Sequence, residues 1–216
     1  MSFIPDLPVL VAYSLASLIL FLTPGPDMSL WLARTFLGGR RAGMSALAGT
    51  LIGCSVHSLL AALGISALIN ASPVAFNVMK AAGALYLLWL GIQMVRHGTV
   101  LLVEDDGRGP RKVPFWGTLV TGILTNLTNP KVLIFFITFL PGFVSASDPD
   151  VQGKLLFLGL YFVVVNFALA VPAIIFADRF VGVLKRNPAV LRAIDWAFAG
   201  VFAVFAVTIL RTQARV

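Results

Sequence analysis

Thr23-Pro24-Gly25-Pro26-Asp27 interrupts one apolar stretch of this chain, and Thr128-Asn129-Pro130-Lys131 interrupts another. Proline inside a helix removes a backbone hydrogen bond and clashes with the preceding turn, yet it suits the first position of a new helix. Asn129 is a strong N-cap residue, so Asn129-Pro130-Lys131 spells a fresh helix start. Gly25-Pro26-Asp27 spells the same more weakly. Each motif predicts a helix that stops and begins again. Aligning Pro26 with Pro130 also brings Gly38 onto Gly142, so the two interruptions fall at corresponding places.

The surroundings of both motifs are apolar on every side. Lys, Arg, Asp and Glu are absent from Leu7 to Pro26, Ala42 to Met79, Val113 to Pro130 and Leu155 to Ala177, and from a shorter run, Trp196 to Leu210. The second run exceeds one membrane span and carries Asn70-Ala71-Ser72-Pro73, a tight loop between two helices. Of the 216 residues, 59% are apolar and 12% charged, against about 45–50% and about 25% in soluble domains. Core helices of a soluble protein need polar faces, which these segments lack. The sequence therefore predicts an all-α polytopic membrane protein with six transmembrane helices at roughly 8–37, 42–69, 73–95, 114–144, 153–177 and 190–211. No basic residue precedes the first stretch, and Asp6 occupies the place of a signal peptide's basic region, so that stretch is read as a retained helix.

Between the third and fourth spans lies a charged Gly/Pro segment, Glu104-Asp105-Asp106-Gly107-Arg108-Gly109-Pro110. It reads as a cytoplasmic linker, 97–113, joining a first three-helix repeat, 1–96, to a second, 114–216. Three spans is an odd number, so the second repeat enters the membrane from the opposite side. The expected architecture is two inverted three-helix repeats with broken first and fourth helices. Backbone groups freed at such breaks are tolerated only beside protein or a water-filled cavity, and paired breaks in opposite halves point to a transport site.

A net charge of +7 raises the question of nucleic acid. The placement of the basic residues answers it. With both termini outside, the inward loops hold Arg34, Arg40, Arg41, Arg96, Arg108, Arg111, Lys112, Arg179, Lys185, Arg186 and Arg192. Outside lie only Lys154, Arg211 and Arg215. This asymmetry is the positive-inside signal of a chain oriented in a lipid bilayer, so nucleic acid is not the partner.

Asp27 and Lys131 occupy matching positions after the two breaks and carry opposite charge. A carboxylate near a helix start is favoured by the dipole and an ammonium is opposed. Asp27 reads either as a capping acid or as a site residue, whereas Lys131 needs an anionic partner, Asp27 or a ligand carboxylate. Together with the helix starts at Pro24, Gly25, Pro26, Asn129 and Pro130, the pair suits a zwitterion. Each break lies ~16 residues, or ~24 Å, into its span, so pseudosymmetry would set the two in opposite leaflets.

Ser45, Gly49, Gly53, His57 and Ala61 form a small-residue stripe that admits a close helix neighbour. It turns His57 inward, either as a proton-coupling group beside Asp27 or as a neutral histidine bonded to a facing hydroxyl or amide. Lys80 reads as snorkelling to the outer headgroups. Asn126 and Asn166 either join helices or face the ligand. Cys54 stands alone, so no metal-ligand or disulfide spacing exists. The chain lacks GxxxxGK[ST], HExxH and GxSxG, so no cofactor or hydrolase chemistry is expected.

These motifs, with Lys80, Gly83, Ala84, Tyr86, Leu87 and Gly91 and with Phe139-Leu140-Pro141-Gly142-Phe143, resemble the lysine exporter superfamily, in particular its homoserine/threonine exporter branch. The resemblance covers spans one to four. In span six Val207, Thr208 and Ile209 replace the family's usual second glycine. The resemblance implies a secondary transporter of the bacterial inner membrane. Such a protein exports small amino acids or their derivatives in exchange for protons, and the resemblance leaves a homodimer as one option for its assembly. A single candidate acid argues against a dibasic substrate. Two other classes fit the residues: a passive channel of the same topology, and an intramembrane enzyme using His57 with Ser55 or Ser58.

Overall fold

The computed structural model describes residues 3–97, 113–145 and 148–213. Most of the linker therefore lies outside the described residues, including Glu104 to Pro110. The described residues are helical, with no strand. In chain order the helices are α1 (Leu7–Leu22), α2 (Pro26–Ala71), α3 (Pro73–His97), α4 (Phe115–Leu127), α5 (Pro130–Ile134), α6 (Val151–Ile175), α7 (Ala177–Arg186) and α8 (Pro188–Gln213). A π-helical turn, Phe135–Phe139, and a 3-10 turn, Leu140–Phe143, follow α5.

Among these, α2, α3, α6 and α8 are long and apolar enough to cross a bilayer. α4 and the segment Pro130–Phe143 meet at a 51° bend and together supply one more crossing. The 46 residues of α2 would make a rod of about 69 Å, roughly twice the hydrocarbon thickness. No such rod forms. Gly39 adopts φ 73° and ψ −179°, a left-handed φ open to glycine at little cost. Past it the chain doubles back, because a Cβ on Gly43 would strike the Thr35 hydroxyl and lie 3.1 Å from the Trp31 carbonyl. This reversal falls between the spans expected at 8–37 and 42–69. Helix breaks occur at both expected motifs, residues 23–25 and 128–129.

The small-residue stripe turns inward as expected, with Ser45 and His57 buried. It packs on α4 at backbone contact distance. A Cβ on Gly49 would collide with the Leu119 carbonyl, and one on Gly122 would collide with the Ala46 carbonyl. Ser45 donates to the Phe115 carbonyl at 2.6 Å and ties the start of α4 to α2.

Two features have no counterpart in the sequence reading. The π turn has no signature in hydropathy, since a run of phenylalanines permits an α-helix equally well. The short helix α7 buries Ala177, Val181 and Leu184 on one face and holds Arg179 and Arg186 on the rest. It occupies a stretch expected as the end of span five and a loop. Lys80 lies 5.0 Å from the centre of the Phe76 ring, so its ammonium has an aromatic partner.

The start of α6 is fixed by polar contacts outside the membrane spans. Asp150 accepts from the Gly153 N–H at 2.8 Å. Asp148 accepts from Lys154 at 2.7 Å and from the Ser145 N–H at 2.9 Å. The Lys154 hydrogen bond, helped by the Ser145 N–H, holds the Asp148 carboxyl below its usual range. A lowered folded pKa stabilises the fold above the ordinary value near ~3.9, and that contribution disappears as pH falls through the lowered value. After solvent screening the pair is worth no more than about 1 kcal/mol. Asp148→Asn is therefore expected to lower the thermal midpoint slightly at pH 7, with the difference from wild type shrinking as pH is taken below the ordinary carboxylate range in a pH series.

Candidate functional site

The break in the first span exposes a helix C-terminus and a helix N-terminus at one place. At the C-terminal end of α1, Thr23 returns its N–H and hydroxyl to the Ile19 carbonyl, at 3.0 and 2.8 Å. Lys131 takes two more carbonyls at this end: its Nζ donates to Thr23 O at 2.7 Å and to Leu20 O at 3.3 Å. An ammonium at the negative end of a helix dipole is stabilised. Lys131 thus answers its unfavourable place on its own helix by capping another one. The anion expected beside it, Asp27, lines the same cavity, and the carbonyl oxygens add partners that the sequence did not indicate.

The same bonds show that the two breaks meet, against the expectation of separate leaflets. The helices that lead into the two breaks are short. α1 has 16 residues and α4 has 13, about 24 Å and about 20 Å of helix. Neither alone spans the roughly 30 Å hydrocarbon core.

At the N-terminal end of α2, Asp27 lies in the first turn, where the dipole favours a carboxylate. Its Oδ2 accepts from Asn126 Nδ2 at 2.7 Å. The same amide reaches Cys54 Sγ at 3.3 Å, in space left by Gly53, whose Cβ would lie 2.8 Å from the Asn126 Cβ. Asn129 caps α5 by accepting from the Lys131 N–H at 3.1 Å. Around the breaks, Asn129 also interacts with the Asp27 carboxylate through its side chain, and Asn126 Oδ1 is buried with no hydrogen-bond partner among the described residues.

A cavity of about 50 Å³ opens where these ends converge, room for several water molecules. Its polar wall includes Thr23, Gly25, Asp27, Lys131 and Asn166, and its apolar wall includes Trp31, Leu47 and Phe162. Phe21 and Trp31 stack across the break with centroids 6.3 Å apart.

Of the expected site residues, Gly25, Asp27, Lys131 and Asn166 line this cavity. Asn126 and Asn129 are buried around it. Pro24 is buried, whereas Pro26 and Pro130 are exposed; the prolines shape the helix starts. His57 does not line the cavity. Its Nε2 is 3.4 Å from the Asn126 carbonyl oxygen, and its ring stacks on Phe136 at 5.7 Å. It supports the residue that holds Asp27. Thr50 and Cys54 also line the cavity and are absent from the expected set. They stand four apart beside the glycine stripe, a spacing that would have found them.

The sequence pattern of the LysE type translocators matches residues 18–213. The chain belongs to the LysE family. It is similar to a homoserine/homoserine lactone efflux protein of Salmonella typhimurium, 30% identical over 195 residues, 88% of this chain and 90% of the relative. It is also similar to a leucine efflux protein of Enterobacter sp., 32% identical over 170 residues, with 78% and 79% coverage. A leucine efflux protein of Klebsiella pneumoniae is 35% identical over 153 residues, with 69% and 71% coverage. No solved structure matches. As a LysE-family member the chain is a multi-pass membrane translocator and not an enzyme, and both helix breaks lie inside the matched region.

Proposed function

We propose that this LysE-family protein exports small neutral amino acids across the bacterial inner membrane in exchange for protons. Its six spans form two inverted halves, 1–96 and 114–216, joined by the cytoplasmic linker 97–113, with both termini outside. The observation that carries the reading is the meeting of Asp27 and Lys131 on one cavity wall. A zwitterion presents one ammonium and one carboxylate. Asp27, on the cavity wall, suits the ammonium, and Lys131 suits the carboxylate. Their charges cancel, so a neutral amino acid leaves the site neutral, whereas a dibasic one adds an unpaired buried charge. Relatives named for homoserine and leucine efflux agree with this class.

Exchange follows from competition. The Asp27 carboxylate holds either a substrate ammonium or a proton, so one leaves when the other binds. His57 acts on this step indirectly, through Asn126.

Counterflow in proteoliposomes tests the reading. Vesicles loaded with unlabelled L-homoserine or L-leucine should accumulate the labelled amino acid transiently, and a pH gradient should drive net movement. A passive channel would show no exchange-stimulated uptake. Asp27→Asn should abolish the pH-gradient drive. His57→Ala should shift the pH dependence of transport and leave the half-saturation concentration little changed. An unshifted pH profile in His57→Ala would remove the histidine from coupling.

A further inference from the structure

Beyond the cavity, toward the N-terminus of α1, the structure is closed. Leu20 and Phe162 line the cavity, and behind them lies a packed aromatic layer. Phe162 contacts Phe135 with centroids 4.6 Å apart and Phe136 at 5.6 Å. Tyr13 contacts Phe143 at 5.1 Å and Phe135 at 6.1 Å. Tyr13, Phe135, Phe136 and Phe139 are all less than 2% exposed.

Two hydroxyls are sealed within this closed half. Tyr13 and Ser17 are both 0% exposed, and neither Tyr13 Oη nor Ser17 Oγ has a hydrogen-bond partner among the described residues. They share a face of α1 with Leu20, at the i, i+4, i+7 spacing that continues away from the cavity. Neighbouring hydroxyls behave differently. Ser14 donates to the Leu10 carbonyl at 2.6 Å and meets the Tyr161 hydroxyl at 2.7 Å, and Thr23 bonds the carbonyl four residues back. Ser17 forgoes the same local bond. Buried hydroxyls left unpaired are costly, so a fold that needed only packing would place Phe and Ala here.

The aromatic layer is also built on an unusual backbone. Phe135–Phe139 form a π turn, closed by the Leu140 N–H on the Phe135 carbonyl, and such widened turns concentrate at functional sites. Thr138 on this turn fills the space over Gly83 of α3. A change in this turn therefore moves three phenylalanines against α1, α6 and α3 together.

We propose that Tyr13 and Ser17 line the half of the transport path between the cavity and the N-terminal face, and that the aromatic plug on the π turn Phe135–Phe139 is the gate that closes it here. When the gate opens, the two hydroxyls face water and the passing amino acid. This inference rests on the transport reading above.

The test uses the full-length protein in proteoliposomes. The double variant Tyr13→Phe, Ser17→Ala should keep a thermal midpoint no lower than wild type, because it removes only unpaired groups. Its counterflow rate should fall roughly tenfold or more, while the half-saturation concentration stays within about twofold, the pattern of a lost interaction outside the ground-state site. A wild-type rate would overturn the proposal. A second readout does not depend on export. The variant Ser17→Cys in a Cys54→Ser background should react with a membrane-impermeant sulfonated thiosulfonate applied at the N-terminal face. A thiol at this position that stays inert under exchange conditions would overturn the path and leave the hydroxyls as sites of sealed internal water. Labelling of the same variant, without amino-acid exchange by wild type, would sink the exporter reading and keep the hydrated path.

Discussion

Lys131→Ala is expected to abolish export while leaving insertion intact. The ammonium caps the C-terminal carbonyls of α1, at Thr23 and Leu20, and supplies the cavity's positive charge. Removing a buried, hydrogen-bonded charge from a pair with a ligand carboxylate costs about 2–5 kcal/mol, roughly a 30-fold to several-thousand-fold loss of affinity. The freed carbonyls add about 1–3 kcal/mol of destabilisation each at most, which the packed helices absorb. Efflux of L-homoserine and L-leucine from loaded cells should fall to background, with normal protein in the membrane fraction and a monodisperse elution profile. Lys131→Gln separates the two roles: it retains a donor for the α1 carbonyls and lacks the charge, so it should restore stability and not transport. Normal efflux by either variant would remove Lys131 from the site.

Gly122→Val is expected to have the largest effect on the fold. Its Cβ would meet the Ala46 carbonyl and stand 3.1 Å from the Gly49 Cα, so rigid backbone opposes it. α2 and α4 must separate, and Asn126, one turn further along α4, then withdraws from Asp27. Overpacking of this kind costs about 1–3 kcal/mol and occasionally more. The side chain is β-branched and has no rotamer that avoids the contact. Yield of folded protein and the thermal midpoint should both drop sharply, and residual transport should be lost with the Asn126–Asp27 bond. Gly64→Val is the control on α2, because no atom lies within 4 Å of its Cβ position. Equal stability of the two variants would contradict the close packing of α2 on α4.

The helix breaks were legible because Pro, Gly and Asn have strong local preferences that hydrophobic surroundings do not override. The inward turn of Gly49, Gly53 and His57 was legible from their four-residue spacing. How the breaks meet was not, because depth depends on where each helix enters the bilayer, and sequence sets those boundaries only to within a turn. Lys131 illustrates the consequence. On its own helix it faces the unfavourable end of a dipole, and only the neighbouring break shows the carbonyls that resolve this. His57 was legible as buried, and the group it faces was not, since that partner is a backbone carbonyl on α4. The π turn was invisible, because Phe135, Phe136 and Phe139 suit an α-helix as well.

The central claim is that both breaks converge on one hydrated, substrate-binding cavity. Gly25 has extended backbone, with φ −166°, so it accepts a side chain, and its Cβ would point at the Lys131 ammonium 3.0 Å away. Gly25→Cys in a Cys54→Ser background, treated with a small anionic thiosulfonate, reports on that point directly. The account predicts rapid labelling that L-homoserine or L-leucine suppresses and that Lys131→Ala renders insensitive to either amino acid. Labelling that no amino acid slows, in protein that still exports, would contradict it.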